Sequence, residues 1–240
     1  MDQSQPLRER YLTCEKYYIF ELLICAGGMM GAYTFNLRGG VFCNAQTANV
    51  MLMSLAFGQG RWMDGFYYLI PISAYIAGAL ISEALPKPVR RMHFLRWDTC
   101  LIGFELLALF LIGWIPLSAP VQPVQVAINF LCSMQYNTFR QAEGIPMSTT
   151  FVTNHIRQIG RWTAIALHKR DRDAWRMAGK HLRMVAVFFA GGVALTVLCK
   201  PLGEKAIWLA LLPLGVGFGL LLYADRVVES TELDRKPHGH

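Results

Sequence analysis

Six long apolar runs dominate this chain of 240 residues and restrict what it can fold into. The runs cover residues 17–36, 64–85, 97–116, 123–140, 183–200 and 205–225. A helix needs about 20 apolar residues to cross a bilayer, and the runs come close to that length. Because backbone amides and carbonyls must be paired inside lipid, each run is expected to be a helix. The sequence therefore predicts an all-α polytopic membrane protein with six transmembrane helices.

The composition supports this class and argues against a nucleic-acid-binding protein. The chain is 54% hydrophobic and 16% charged, and its mean hydropathy is +0.32. A soluble domain carries about 25% charged residues. The net charge is +7, but the basic residues flank apolar runs, where anionic headgroups explain them better than nucleic acid does. We therefore expect the lipid bilayer as a partner, and a first helix that acts as a retained signal-anchor.

Cysteine and histidine spacing gives no indication of a metal, a cofactor or a disulfide framework. The cysteines show no CxxC motif, and most fall in apolar runs, where a free thiol behaves as a small hydrophobic group. The histidines show no ligand spacing. The chain also has no catalytic motif such as GxSxG, HExxH or a P-loop. We therefore predict neither an enzyme nor a cofactor-binding protein.

Two polar segments interrupt the apolar pattern at corresponding places. The first polar segment is residues 40–49 and the second is residues 144–154. Each begins with glycine and a β-branched residue, continues through small hydroxyl and amide side chains, and reaches Thr-Asn before a helical pattern. Paired interruptions in two halves of a chain are the best sequence indication of a binding site in a membrane transporter.

The paired segments divide the chain into two similar halves. We predict a single transmembrane domain at 17–225, with repeat halves at about 17–116 and 123–225. A cytoplasmic N-terminal segment, 1–16, precedes it. A charged tail, 226–240, follows it and is expected to be disordered. Halves of three spans are small, so a homodimer is compatible with the sequence.

Loop charges predict the topology. The 86–96 loop carries Lys87, Arg90, Arg91 and Arg96, and the 169–183 loop carries Lys169, Arg170, Arg172, Arg176, Lys180 and Arg183. The 117–122 turn carries no charge. Because basic loops stay in the cytoplasm, the first two are predicted inside and the turn outside, with both termini cytoplasmic.

This topology makes the segment at 144–168 re-entrant from the cytoplasmic side. The segment at 39–60 then dips in from outside, provided that the N-terminal Arg8, Arg10 and Lys16 are cytoplasmic. The halves would have opposite orientations, which is an inverted repeat. Two broken full spans remain the alternative, because the re-entrant layout leaves Arg38 and Arg61 outside.

The polar segments supply the candidate binding residues. Gly40 and Pro146 break the helical pattern, and we expect Asn44, Ser148 and Thr149 to be N-caps of the half-helices that follow. Their amides would point to the membrane centre and receive a small polar or anionic solute. The candidate solute-binding residues are Asn44, Gln46, Thr47, Asn49, Thr149, Thr150, Thr153, Asn154 and Arg157.

The halves are further predicted to bring Thr47 and Asn49 close to Thr153 and Asn154, with Arg157 biasing the site toward anions or zwitterions. A structural role for these polar groups is the alternative, because polar contacts between helices are common in membranes. The protein would then be a non-transporting scaffold or assembly protein.

Glu105 is a separate candidate, because it lies midway along the third apolar run. A carboxylate near mid-bilayer costs at least a few kcal/mol and is a functional-site hypothesis by default. We consider a proton-exchanging site and a merely protonated or internally hydrogen-bonded carboxyl equally compatible with the sequence.

Several motifs resemble the YoaK family, also called DUF1275. They are Ala26-Gly27-Gly28 with Ala32-Tyr33, Gln46-Thr47-Ala48-Asn49, Met134-Gln135-Tyr136-Asn137 and Ser148-Thr149-Thr150-Phe151-Val152-Thr153. The resemblance covers essentially the whole chain and implies a bacterial inner-membrane protein without implying a substrate. The chain departs from the family pattern at Gly31, where the resemblance implies an acidic residue, and at Ala48 and Asn154, where it implies glycine.

Overall fold

The computed structural model describes residues 11–90 and 94–238. The charges predicted at Arg8, Arg10 and Arg91 therefore lie outside the described residues, as does the end of the tail at 239–240.

The described chain is mostly helical, in agreement with the predicted class. Its α-helices are α1 Tyr17–Leu37, α2 Gln46–Gly58, α3 Trp62–Tyr67, α4 Leu69–Ala84, α5 Pro86–Arg90, α6 Trp97–Ile112, α7 Val121–Thr138, α8 Thr153–Lys169, α9 Arg172–Leu202 and α10 Leu211–Tyr223. A two-residue hairpin, β1 Gln141–Ala142 with β2 Ile145–Pro146, precedes α8. Short 3-10 helices lie at Thr13–Glu15 and Gly203–Ala210, and a π-helical turn lies at Ala224–Val228.

Each predicted span contains an α-helix, but the helices differ in length and hydropathy. Within the described residues, three helical stretches are long and apolar enough to cross a membrane: Tyr17–Leu37, Trp62–Val89 and Arg172–Val228. The last stretch contains both α9 and α10. The helices α6 and α7 are shorter or more polar.

The predicted basic loop at 169–183 is mostly helix. The chain turns at Arg170, which has a φ of 51°. The side chain of Asp171 then accepts a hydrogen bond from the Asp173 amide at 2.8 Å and caps α9. The prediction of a loop was wrong because this cap starts the helix well before its apolar part begins.

Two helix pairs form the centre of the fold: α1 packs against α9, and α4 packs against α7. Both crossings depend on glycine. A Cβ on Gly28 would lie 2.2 Å from the Phe188 carbonyl oxygen, and a Cβ on Gly78 would lie 2.4 Å from the Phe130 carbonyl oxygen. Small residues that let two helix backbones approach are typical of packing in membranes.

The two ends of the bundle differ in their contacts. At the turn end, which holds Arg38 and residues 113–125, the buried Arg38 guanidinium donates to the carbonyls of Ile115 and Pro116 at 2.6 and 3.2 Å. It also donates to the Tyr33 hydroxyl at 2.9 Å. Arg38 is therefore paired inside the protein.

The tail end holds residues 11–16, Arg96 and residues 225–238, and there the tail packs against the bundle. The buried Arg96 lies 3.4 Å from Asp225 and 3.5 Å from Glu229. The Glu15 carboxylate accepts from the His238 amide at 2.7 Å. The expected disorder of the tail is therefore wrong for the residues described up to His238.

Both basic stretches belong to the tail end. Arg96 lies there, and Lys180 of α9 is 3.6 Å from Glu143, whose amide donates to the Glu15 carbonyl at 2.9 Å. The Leu117 side chain instead lies near Gly203 at the other end. The arrangement agrees with the charge pattern that predicted the topology.

Thiol labelling tests which end faces outward. On a background without native cysteines, Ser118→Cys is expected to react with an impermeant thiol reagent added outside the cell, and Arg172→Cys only after lysis. The reason is that basic segments remain in the cytoplasm. Labelling of both positions from the same side would contradict this topology.

Candidate functional site

The first polar segment returns from the end of α1 along the same helix. Gly39 and Gly40 have φ values of 82° and 71°, which glycine adopts without strain and which turn the chain back. The buried Asn44 then donates its side-chain amide to the Gly27 carbonyl at 3.0 Å. A Cβ on Gly31 would lie 2.7 Å from that amide nitrogen. Gly31 therefore provides the space that Asn44 occupies, at the position where the resemblance implies an acidic residue.

The second polar segment reaches the same turn of α1. It follows the hairpin, where Gly144 has a φ of 77°. A Cβ on Gly27 would lie 2.7 Å from the Thr149 carbonyl oxygen and 3.1 Å from the Thr150 Cα. Both polar segments therefore contact α1 between Gly27 and Gly31. We call this meeting point, formed by Asn44, Thr149 and the turn Gly27–Gly31, the polar junction.

Amide side chains of α7 link both polar segments. The Gln46 amide donates to the Asn129 Oδ1 at 2.8 Å, and the Gln135 amide donates to the Thr149 carbonyl at 3.3 Å. Asn129 and Gln135 are both fully buried. Neither residue was among the candidates predicted from the sequence. The available indication was the presence of amide side chains inside an otherwise apolar predicted span.

Three polar atoms in this region have no hydrogen-bond partner among the described residues. They are the Gln135 Oε1, the Thr149 Oγ1 and the Thr150 Oγ1, all buried. Buried polar atoms are normally paired, and leaving one unpaired costs about 1–3 kcal/mol. An acceptor and two hydroxyls therefore remain available for a ligand beside the polar junction.

The predicted N-caps are wrong. The helix α2 begins after Ala45 and α8 begins after Val152, and neither start has a side-chain cap. Asn44 does not cap because its amide is bound to α1. The Ser148 hydroxyl instead accepts from the Phe151 amide at 3.3 Å, which shapes the turn before α8.

The remaining candidate residues are divided between the interior and the surface. Asn49 is buried and closes the first segment, since it accepts from the Phe42 amide at 3.2 Å and donates to the Phe42 carbonyl at 2.8 Å. Thr150 is buried next to Thr149. Thr47, Thr153 and Arg157 are exposed.

Arg157 donates to the Asn154 Oδ1 at 3.0 Å, and this pair is exposed. The structure therefore joins the segments through Asn44 and Thr149, instead of through the predicted Asn49 and Asn154. The guanidinium of Arg157 is directed to Asn154 and not to the junction.

Two cavities flank the second polar segment. A cavity of about 260 Å³ is lined by Asn137, Arg140, Ser148, Phe151 and Asn154 among others. A groove of about 600 Å³ between α1 and α9 has mainly apolar walls and includes Asn44 and Val152. Because Phe151 lines one cavity and Val152 lines the other, this short stretch separates them. The Phe151 ring packs against Tyr136 with centroids 4.7 Å apart.

Glu105 lies in α6, outside the polar junction. Its side chain is fully buried, and neither carboxylate oxygen has a hydrogen-bond partner among the described residues. The described residues therefore provide no internal hydrogen bond for the Glu105 carboxyl.

These features define a helical protein with helices long and apolar enough to span a membrane, and with two polar segments that meet on its first helix. A family model described as a protein of unknown function, DUF1275, matches residues 19–220. The chain belongs to this family, which confirms the resemblance found in the sequence. Comparison with curated proteins and with solved structures gives no match.

Proposed function

We propose that this protein is a membrane transporter or channel-like protein that binds a small polar solute at the polar junction. The observation that carries the proposal is the convergence of both polar segments on Gly27–Gly31, with unpaired polar atoms of Gln135 and Thr149 beside it. Irregular backbone at membrane depth is tolerated where it is buried in protein or lines a cavity. Amides and hydroxyls recognise solutes through hydrogen bonds, so a neutral or zwitterionic solute fits better than an anion.

The helix pairing supports an inverted repeat as part of this proposal. If α1 corresponds to α7 and α4 to α9, then the close pair α1–α9 has its counterpart in the close pair α4–α7. Six spans with cytoplasmic termini in a bacterial inner membrane would place the two segments at matching depths from opposite sides.

The two cavities suggest the route of the solute. The cavity lined by Arg140 and Asn154 would receive it from the tail end, and movement of Phe151 would connect that cavity to the junction. Glu105 remains the candidate proton site of α6, since a buried carboxyl without a partner is uncommon inside a membrane.

Ligand-induced thermal stabilisation tests the binding site. A panel of neutral metabolites, amino acids and inorganic anions is added to the purified protein in detergent. A member of the panel at 100 times its Kd should stabilise the native state by about 2.7 kcal/mol. Asn44→Ala and Thr149→Val should each reduce that stabilisation strongly, because they remove an amide and a hydroxyl at the junction. Thr47→Ala, at an exposed position, is the matched control and should leave it unchanged.

The scaffold alternative makes the opposite prediction. If no panel member stabilises the wild type, while Asn44→Ala and Thr149→Val both sharply lower the midpoint of unfolding, the polar groups only hold helices together. If no panel member stabilises the wild type and both substitutions leave the midpoint of unfolding unchanged, the result would contradict both the solute-binding role and the structural role of the junction.

A further inference from the structure

Two histidines that the sequence separates form a buried pair at the base of the second polar segment. The Nδ1 atoms of His155 on α8 and His181 on α9 are 3.0 Å apart, and both side chains are fully buried. The Nε2 of His155 lies 3.0 Å from the Ser148 carbonyl oxygen. The Nε2 of His181 is buried and has no hydrogen-bond partner among the described residues.

The partners fix the tautomers of the neutral pair. A carbonyl only accepts, so the His155 Nε2 carries a hydrogen and donates to Ser148. The Nδ1 of a neutral His155 is then an acceptor, and the Nδ1–H of His181 donates to it. The Nε2 of His181 then carries no hydrogen, and its lone pair has no hydrogen-bond partner among the described residues.

One proton can be added to this pair without breaking a hydrogen bond. A proton on the His181 Nε2 leaves its Nδ1–H donating to His155, and the bond becomes charge-assisted and stronger. A second proton would place two N–H groups on positive rings against each other at the 3.0 Å contact. The rings would then separate. Ser148 adjoins Thr149 of the polar junction and is bound to the His155 ring, so this separation would loosen its hold on the second polar segment.

The charged groups around the pair are engaged with one another. On α9, Lys180 is 3.6 Å from Glu143 of the hairpin. Arg183 donates to Glu21 of α1 at 2.9 Å. The Tyr17 hydroxyl of α1 donates to the Lys180 carbonyl. None of the hydrogen bonds described for the two imidazoles goes to a carboxylate, and Lys180 is the nearest cation along the chain.

We propose that His155 and His181 form a proton-binding site that holds the second polar segment against α9 and releases it when the pair takes up a second proton. The link to solute movement rests on the proposed function, whereas the proton site itself does not. The coupling ion of the transporter would then be a proton bound beside the segment that separates the two cavities.

Thermal unfolding and ¹⁵N NMR of the solute-free protein test this site. The midpoint of unfolding is followed from about pH 8 to pH 5, the range in which histidine titrates. Both imidazoles are fully buried, and burial disfavours the charged form of an imidazole. The unfolded state therefore binds more protons than the folded state as the pH falls, so stability that is present at neutral pH is lost. We expect the midpoint of unfolding to fall by about 3–5 °C over this pH range.

Substitutions test whether the loss of stability at low pH comes from His155 and His181. His155→Gln, His181→Gln and the double variant should all lose less stability at low pH than the wild type, with non-additive effects because the residues are in contact. His168→Gln, at an exposed histidine of α8, should behave as the wild type. In ¹⁵N-histidine spectra, the nitrogens of the pair should titrate together and show the tautomers given above.

Three results would overturn the proton site. They are a wild-type dependence of stability on pH retained in His155→Gln, spectra in which His155 and His181 titrate independently of each other, and loss of the pH response in Glu105→Gln instead. Because no solute is present, a failed solute panel leaves this outcome unaffected, and a failed titration leaves the solute site unaffected.

Discussion

Gly28→Ala is expected to lower the midpoint of thermal unfolding by on the order of 5–10 °C in detergent. A Cβ at this position would lie 2.2 Å from the Phe188 carbonyl oxygen and 3.0 Å from its carbonyl carbon. Both atoms belong to the backbone of α9, so no rotamer change relieves the contact and the two helices must move apart.

Gly192→Ala is the matched control, on the same pair of helices. A Cβ there meets only the Gly28 carbonyl oxygen at 3.6 Å, which is ordinary van der Waals contact. Alanine also favours helix over glycine by about 1 kcal/mol, so the control should be neutral or slightly stabilising. Equal effects of the two substitutions would contradict the close crossing of α1 and α9.

Arg96→Ala is the second substitution with a large expected effect. Its side chain is 5% exposed and lies beside the carboxylates of Asp225 and Glu229, which are 2% and 7% exposed. Removing one member of a buried ion-pair network costs about 3–5 kcal/mol, because the remaining charges are left unpaired. The guanidinium also donates to the Glu232 carbonyl at 2.6 Å, so its loss releases the tail from the bundle.

Arg176→Ala provides the comparison for this prediction. Arg176 pairs with Asp173 at 3.2 Å, but both side chains are at least 80% exposed. An exposed pair contributes about 0–1 kcal/mol, so the thermal midpoint should barely change.

Limited proteolysis should in addition cut the tail of Arg96→Ala faster than that of the wild type. A tail equally resistant in both proteins would contradict its packing against Arg96.

The helices could be predicted from the sequence because length and hydropathy determine where a chain can cross a bilayer. Each predicted span contains an α-helix, and the family assignment is confirmed. Three helical stretches among the described residues are long and apolar enough to cross a membrane. Helix ends were less predictable. The start of α9 depends on the cap at Asp171, and the packing of the tail depends on Arg96, which is 129 residues away from Asp225.

The two polar segments could also be predicted, but not the atoms that join them. Asn44 and Thr149 meet through Gly27, and this contact depends on how α1 packs rather than on any spacing in the sequence. The prediction favoured Asn49 and Asn154 because it assumed helix starts at matching positions. The histidine pair was missed because its members are 26 residues apart and meet only when α8 folds back on α9.

Cysteine cross-linking tests most directly whether the two polar segments form one site. On a background without native cysteines, the pair Asn44→Cys and Thr149→Cys is treated with a short bifunctional thiol reagent, and linked peptides are identified by mass spectrometry. We predict an intramolecular link, because both positions contact Gly27. The exposed pair Thr47→Cys and Thr153→Cys should remain unlinked, because α2 packs against α3 and α8 packs against α9. A link at 47 and 153, with none at 44 and 149 in the folded protein, would contradict the polar junction.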